Sequence, residues 1–220
     1  MVGTALLTAA VVGSGIMGER LAGGNVGLAL LANTLATGAA LVALILTFGP
    51  LSGAHLNPVV TLAAAFERGL PWREVPAYVG AQFLGSVVGV ATANSMFGLP
   101  LFPLSQHARA GPAQIVSEIV ATFGLLAVVR GCSRYSYSAI APAVAAYITS
   151  AYWFTASTSF ANPAVTVGRA LTDTFAGIRP IDVPAFIVAQ FLGAAAATAL
   201  FRWFEAEPTI VVGEEEPWAS

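Results

Sequence analysis

Two asparagine-proline boxes lie in one hydrophobic chain, and each of them predicts the start of a short helix. The box residues are, in chain order, Asn57, Pro58, Val59, Asn162, Pro163 and Ala164. Proline is favoured in the first helical turn because its missing N–H would have no partner there, and asparagine is a strong N-cap. Each box therefore directs a helix N-terminus, with its partial positive charge and free donors, toward whatever lies ahead of it.

The composition places these boxes in a membrane. Hydrophobic residues make up 57% of the chain and charged residues only 9%, whereas a soluble domain carries about a quarter charged residues. A net charge of −2 does not favour nucleic-acid binding. A helix needs about 20 residues to cross a bilayer core, and the predicted spans are 2–17, 26–48, 75–96, 112–129, 137–155 and 183–204.

The two halves of the chain repeat each other. The segment PAYVGAQFLG at 76–85 returns as PAFIVAQFLG at 184–193. Each unit holds three spans, an odd number, so the second copy enters the membrane upside down and the broken helices meet near the midplane. The predicted division is a first repeat 1–105 with half-helix 57–67, a second repeat 106–206 with half-helix 162–173, and an acidic tail 207–220.

The predicted fold class is therefore an all-α membrane protein with six transmembrane helices and two re-entrant half-helices. Glu118 is the only acidic residue inside a predicted full span, and Cys132 is the only cysteine. Paired carboxylates, metal-ligand clusters and nucleophile–histidine–acid constellations are not found in the sequence. We predict no catalytic residue, metal or cofactor, and a proton-coupled transporter would need more ionisable groups in the core.

These boxes, spans and repeats closely resemble the aquaporin family (major intrinsic proteins) over almost all of 2–204. The resemblance implies a homotetramer in the lipid bilayer, with one pore per subunit that passively conducts water or small neutral solutes. It also implies a bacterial inner-membrane protein with both termini in the cytoplasm. Arginine placement alone supports that orientation weakly, with five on the inner face against four on the outer. A non-conducting junction protein is also known in this family, but the retained boxes argue against it.

The boxes predict the chemistry of the pore centre. The amide groups of Asn57 and Asn162 would offer donors to a passing oxygen, and the two helix ends would repel cations, including protons. An acceptor ladder is expected from the backbone carbonyls of Gly53, Ala54, His55, Thr158, Ser159 and Phe160. The His55 ring is expected to brace its loop rather than to sense protons.

In aquaporins a glutamate near the start of each half braces the re-entrant loop by accepting backbone N–H bonds. Glu118 matches that position in the second half. In the first half the matching position falls one residue ahead of Met1. The resemblance therefore implies a brace at Glu118 and leaves open how the first loop is held.

The selectivity filter departs from that of an ordinary water channel. Spacing from the boxes assigns the four filter positions to Thr37, Ser150, Ser159 and Val165, with no charge and no ring. The closest resemblance is to bacterial aquaporins associated with arsenic resistance, whose filter also lacks arginine. It implies arsenous acid and glycerol- or urea-like solutes besides water. The alternative is a plain water-selective aquaporin whose filter is refilled by Phe160, Tyr152 or Trp153, with Arg169 a further residue that could reach back.

Overall fold

The computed structural model describes residues 1–206, and for Tyr135, Tyr137, Glu205 and Ala206 the backbone alone. The acidic tail predicted at 207–220 lies outside the described residues. Eight α-helices account for most of the described chain. They are α1 (Val2–Leu21), α2 (Val26–Ser52), α3 (Pro58–Phe66), α4 (Val75–Met96), α5 (Pro112–Tyr135), α6 (Tyr137–Phe154), α7 (Pro163–Arg169) and α8 (Val183–Ala206).

The prediction of an all-α membrane fold is confirmed. Five of the long helices are apolar and long enough to cross a bilayer core, and α6 adds 18 residues. Several helices extend beyond the predicted spans. The spans were predicted from hydropathy, which follows the run of apolar residues, whereas the helix ends where its backbone is capped. Helix α2, for example, continues through Pro50 to Ser52 and is capped by Gly53, whose φ of 72° is left-handed.

The long helices pair in the same way in each half. Helix α4 packs against α1, and α8 packs against α5. At both contacts a glycine faces a backbone carbonyl: a Cβ on Gly85 would clash with the oxygen of Met1, and a Cβ on Gly193 with that of Ile119. Small residues allow this close approach, which supplies packing energy where lipid gives no hydrophobic driving force.

The two short helices are shorter than predicted, most clearly in the second half. Helix α7 ends at Arg169, although the sequence analysis placed its end at residue 173. The next two amides bond three residues back, Ala170 N to Val167 O and Leu171 N to Gly168 O, which tightens the last turn. The chain then doubles back, because Ile178 N donates to the carbonyl of Arg169.

We expect Gly193→Ala to destabilise the protein by about 1–3 kcal/mol, since the added methyl overpacks the α5–α8 contact. Gly80→Ala is the matched control, because a Cβ on Gly80 would meet nothing within 4 Å. Thermal unfolding of both variants in detergent measures the difference. An equal midpoint for the two variants would show that the glycine contact is not needed.

Candidate functional site

Each box asparagine caps its own half-helix. Asn57 Oδ1 accepts a hydrogen bond from Val59 N at 3.1 Å. Asn162 Oδ1 accepts from Ala164 N at 3.1 Å and from Val165 N at 3.3 Å. Both asparagines have extended backbone and are followed by proline. The capping predicted from sequence is therefore present at both boxes.

The amide nitrogens of the same two side chains link the loops of the two repeats. Asn57 Nδ2 donates to Ala161 O at 2.7 Å, and Asn162 Nδ2 donates to Leu56 O at 2.9 Å. Each acceptor is the residue immediately before the opposite box. The two half-helices are thereby fixed tip to tip, with one hydrogen of each amide still free to face the space between them.

In each half, a threonine and a glutamine support the box through hydrogen bonds. Thr61 Oγ1 donates to Asn57 O at 3.1 Å, and Gln82 Nε2 donates to Thr61 Oγ1 at 2.9 Å. In the second half the corresponding distances are 2.8 Å from Thr166 Oγ1 and 2.9 Å from Gln190 Nε2. Gln82 and Gln190 are the shared glutamines of the repeated ten-residue segment, so this repeat also preserves the hydrogen bonds behind the boxes.

The loop before each box has left-handed backbone at matched positions. Four, three and one residues before the asparagine, φ is 72°, 46° and 53° in the first loop and 59°, 49° and 46° in the second. The residues concerned are Gly53, Ala54, Leu56, Thr158, Ser159 and Ala161. Only one of them is glycine, so the others hold strain of about 1–3 kcal/mol each. Sequence reasoning missed this feature, because glycine is the usual signal for it.

Glu118 holds the second loop. Its buried carboxylate accepts from Ser157 Oγ at 2.6 Å, Phe160 N at 2.9 Å, Ala161 N at 2.9 Å and Gln190 Nε2 at 2.6 Å. Four donors around one carboxylate offset the cost of removing its charge from water. The backbone contacts predicted for Glu118 are thus present, and they constrain part of the strained segment.

The first loop is held differently. His55 Nδ1 lies 3.2 Å from Thr61 Oγ1, and the His55 ring packs on Tyr78 with centroids 5.4 Å apart. The His55 ring therefore contributes to holding this loop.

A cavity of about 380 Å³ is lined by residues from both halves of the chain. Asn57 and Asn162 line it, as do Arg169 and the Glu67–Arg130 ion pair. Most of the wall is apolar. The predicted pore residues that line it are Thr37, Gly53, Ala54, His55, Asn57, Ser159, Phe160, Asn162 and Val165.

Ser150 is not one of these residues, and its assignment to the filter is wrong. Its side chain is exposed, and its Oγ donates to Tyr147 O at 2.7 Å. Helix α6 turns a different face to the cavity, formed at four-residue intervals by Ile140, Val144, Ile148 and Tyr152. Ser150 lies two residues, or about 200° of helical rotation, away from Tyr152. Counting back from the box therefore gave a residue of α6 that does not line the cavity.

Thr158 is also absent from the cavity wall. Its Oγ1 instead accepts from Arg109 Nη1 at 3.4 Å, on the side of the loop away from the cavity. Thr158 therefore does not line the cavity, although Gly53, at the matching position of the first loop, does. Pro58, Val59, Pro163 and Ala164 are likewise not among the wall residues, and they form the buried first turns of α3 and α7.

Two of the aromatic side chains considered for the filter do reach the cavity. Tyr152 OH donates to Thr37 Oγ1 at 3.4 Å, and this contact joins α6 to α2. Phe160 lines the same region and is 5% exposed. Trp153 is exposed and does not line the cavity. Tyr152 and Phe160 therefore line the cavity together with Thr37, Ser159 and Val165.

Arg169 reaches the cavity as well. Its guanidinium lies over the Phe160 ring, with Cζ 3.3 Å from the ring centroid, and Nε donates to Ala176 O. Arg109 lies against the same ring at 4.9 Å. Helical side chains lean toward the N-terminus, which carries Arg169 back along α7 toward the box.

Both arginines also act on the loop that precedes α5. Burial of the His107 ring, followed by the positive charges of Arg109 and Arg169, lowers the pKa of His107 below its usual 6.5, and the negative charge of Asp173 opposes this shift. In residues 1–206 no group of three His, Cys, Asp or Glu side chains is arranged to hold a metal ion.

The family model for major intrinsic proteins matches residues 1–135 and 130–215. The chain belongs to the major intrinsic protein family. Members of this family are channels and not enzymes. The aquaglyceroporin AqpS of Rhizobium meliloti (strain 1021) is 51% identical over 215 residues, covering 98% of this chain and 92% of that protein.

Other relatives match over shorter lengths. Aquaporin NIP1-1 of Oryza sativa subsp. japonica is 42% identical over 96 residues, which is 43% of this chain and 34% of that protein. Among solved structures, the aquaglyceroporin from Plasmodium falciparum superposes with a TM-score of 0.71 over 91% of each chain. Its sequence identity is 22%, so this likeness concerns the fold alone.

We expect Glu118→Gln to lower stability and solute flux together. The new amide NH₂ would face donors, and each buried group left unpaired costs about 1–3 kcal/mol. Thermal unfolding in detergent and water flux in liposomes measure the two effects. Glu19→Gln, at an exposed site, is the control. Full stability and flux in Glu118→Gln would show that the loop does not depend on this carboxylate.

Proposed function

We propose that the chain forms a passive pore for small uncharged solutes, among them glycerol, urea and trivalent arsenic as arsenous acid, as well as water. The observation that carries this proposal is Val165. It lines the cavity three residues after Asn162, where the water-channel pattern has arginine. A methyl-bearing wall at that point leaves more room than a guanidinium and places no charge there.

The polar groups around Val165 suit solutes rich in oxygen. Thr37, Ser159 and Tyr152, which each carry a hydroxyl, line the cavity. Ser159 Oγ is buried and has no hydrogen-bond partner among residues 1–206. We propose Thr37, Tyr152, Ser159 and Val165 as the filter, with Tyr152 in place of Ser150.

The boxes supply the selection against ions. The N-termini of α3 and α7 converge near the middle of the cavity, where Asn57 and Asn162 lie. Their partial positive charges act in a region from which lipid excludes bulk water, so a cation meets a repulsive field there. Neutral molecules do not pay this cost. The carbonyls of the preceding loops would accept hydrogen bonds from them in sequence.

A second candidate function is water-selective conduction. The observation that favours it is the Tyr152–Thr37 contact at 3.4 Å, together with Phe160 on the adjacent wall. These rings occupy part of the space that the missing arginine would otherwise leave. Under this alternative the remaining opening passes water but not a molecule with three carbon atoms.

Purified protein in liposomes separates the two candidates. After a hyperosmotic step with glycerol, urea or arsenous acid, the broad pore predicts shrinking followed by re-swelling as the solute enters. Liposomes without protein provide the background rate. Fast shrinking with no re-swelling above that background in any of the three solutes would leave only the water channel.

We expect Val165→Arg to reduce glycerol flux by about tenfold, which corresponds to about 1.4 kcal/mol of added barrier. Water flux should fall less, because the larger solute depends more on the width beside Val165. Stopped-flow light scattering measures both rates in the same liposomes. Val165→Leu is the control for added size without charge. Equal losses of water and glycerol flux would show that Val165 is not at the filter.

The remaining proposals concern assembly and location. Large apolar side chains are exposed on the outer faces of the long helices, such as Leu35, Leu46, Leu84 and Trp203, and this supports contact with lipid or with other subunits. We propose a homotetramer in a bacterial inner membrane with both termini in the cytoplasm. We also propose that residues 1–105 and 106–206 are the two inverted repeats, which the matched contacts of Gly85 and Gly193 support.

A further inference from the structure

Arg169 is a charged residue of the cavity wall that the proposed pore does not use. Arg169 is only 2% exposed, and it is among the residues that line the cavity. Among residues 1–206 its hydrogen bonding is limited to Nε, which donates to Ala176 O. The two terminal nitrogens therefore have four N–H donors and no acceptor within the described part of the chain.

Its charge is not neutralised locally. No ion pair includes Arg169 in the described residues, and the Glu118 carboxylate is occupied by four other donors. An unpaired buried charge is costly unless something solvates it. The Phe160 ring solvates one face of the guanidinium. Water or solute in the cavity is the remaining source of acceptors for the terminal nitrogens.

Arg109 shows how a purely structural arginine looks in the same region. It lies on the same Phe160 ring but does not line the cavity. Its Nε donates to Gly177 O at 2.8 Å, and its terminal nitrogens donate to the carbonyls of Ser157 and Phe175 at 3.3 and 3.4 Å. All three of its nitrogens have acceptors, and Arg169 differs in that only one does.

We propose that Arg169 is a specificity-determining residue of the outer pore. It lies seven residues after Asn162 and supplies the positive charge that is absent at Val165. It repels cations and donates to solutes that carry two neighbouring oxygens. The proposal rests on the channel function proposed above and adds the chemical class that the channel selects. The filter is therefore uncharged at Val165 but charged one helical turn further along α7.

The preference for oxygens follows from the shape of the group. A guanidinium presents its donors in a rigid planar fork that pairs with two oxygens at once. Small neutral 1,2-diols and oxyacids present adjacent oxygens that fit the two terminal nitrogens of the fork. Urea presents one oxygen and two amino groups, so it gains less from the fork.

The experiment measures methylammonium, glycerol, urea and water flux in liposomes. In the wild type, methylammonium should remain at the background rate. Arg169→Gln keeps a donor for Ala176 O and removes the charge, so methylammonium flux should rise at least about tenfold, since a charge at contact distance is worth several kcal/mol. The double variant V165R/R169Q returns a charge to the filter and should restore exclusion.

Two further variants complete the test. Arg109→Met is the matched control, expected to weaken the fold without admitting methylammonium. Arg169→Lys keeps the charge but lacks the planar fork. It should exclude methylammonium and lower the ratio of glycerol to urea flux by about threefold, a loss of one of two paired hydrogen bonds.

Water flux above that of empty liposomes identifies a folded pore. A water-conducting Arg169→Gln that excludes methylammonium as well as the wild type does would overturn the cation barrier. An unchanged glycerol-to-urea ratio in Arg169→Lys would overturn the recognition of oxygens. If neither variant folds, the wild type decides, since methylammonium flux equal to urea flux overturns the proposal. Wild-type glycerol flux equal to that of empty liposomes would refute the proposed broad pore. The methylammonium measurements would still test the cation barrier in that case.

Discussion

The structure depends on the exchange of hydrogen bonds between the two box asparagines and the opposite loops. Asn57 Nδ2 reaches Ala161 O and Asn162 Nδ2 reaches Leu56 O, while the oxygens of the same amides cap the two half-helices. Each side chain therefore satisfies its own helix and the other repeat at once. Neither half-helix could hold this position in lipid alone, because its preceding loop would leave polar backbone unpaired at membrane depth.

The strained backbone before each box follows from this arrangement. Left-handed residues such as Leu56 and Ala161 turn the chain so that their carbonyls meet the opposite amide. Glu118 then holds the N–H groups of the second loop. The strain is thus offset by hydrogen bonds whose donors and acceptors are far apart in sequence. The same loops supply the cavity wall, so the stability of the site and its chemistry share the same residues.

Much of this could be predicted from the sequence, for identifiable reasons. Proline after a capping asparagine marks a helix start locally, and the repeated ten-residue segment marks the duplication. Glu118 stood out because a carboxylate in a span needs partners. Each of these signals comes from residues that are neighbours in the sequence or from one residue of a type that is rare at its position. The positions at the pore centre are close to the boxes, where counting along the chain stays accurate.

The errors arose where the three-dimensional arrangement depends on distant residues. Ser150 was assigned by counting twelve residues back from Asn162, but the face that α6 turns to the cavity carries Ile148 and Tyr152 instead. The reach of Arg169 depends on Phe160, Arg109 and the returning segment at Ala176, which no local pattern encodes. The left-handed positions were missed because five of the six residues are not glycine.

The glycine contacts restrict how such a channel could be regulated. At Gly85 and Gly193 the backbones of paired helices approach so closely that even a methyl group finds no room. Helices packed this closely cannot slide past one another unless they first separate. The hydrogen bonds that Asn57 and Asn162 donate to the opposite loops oppose such a separation. Sliding of these helices is therefore disfavoured as a way to change permeability, and the paired helices form a fixed frame around the cavity.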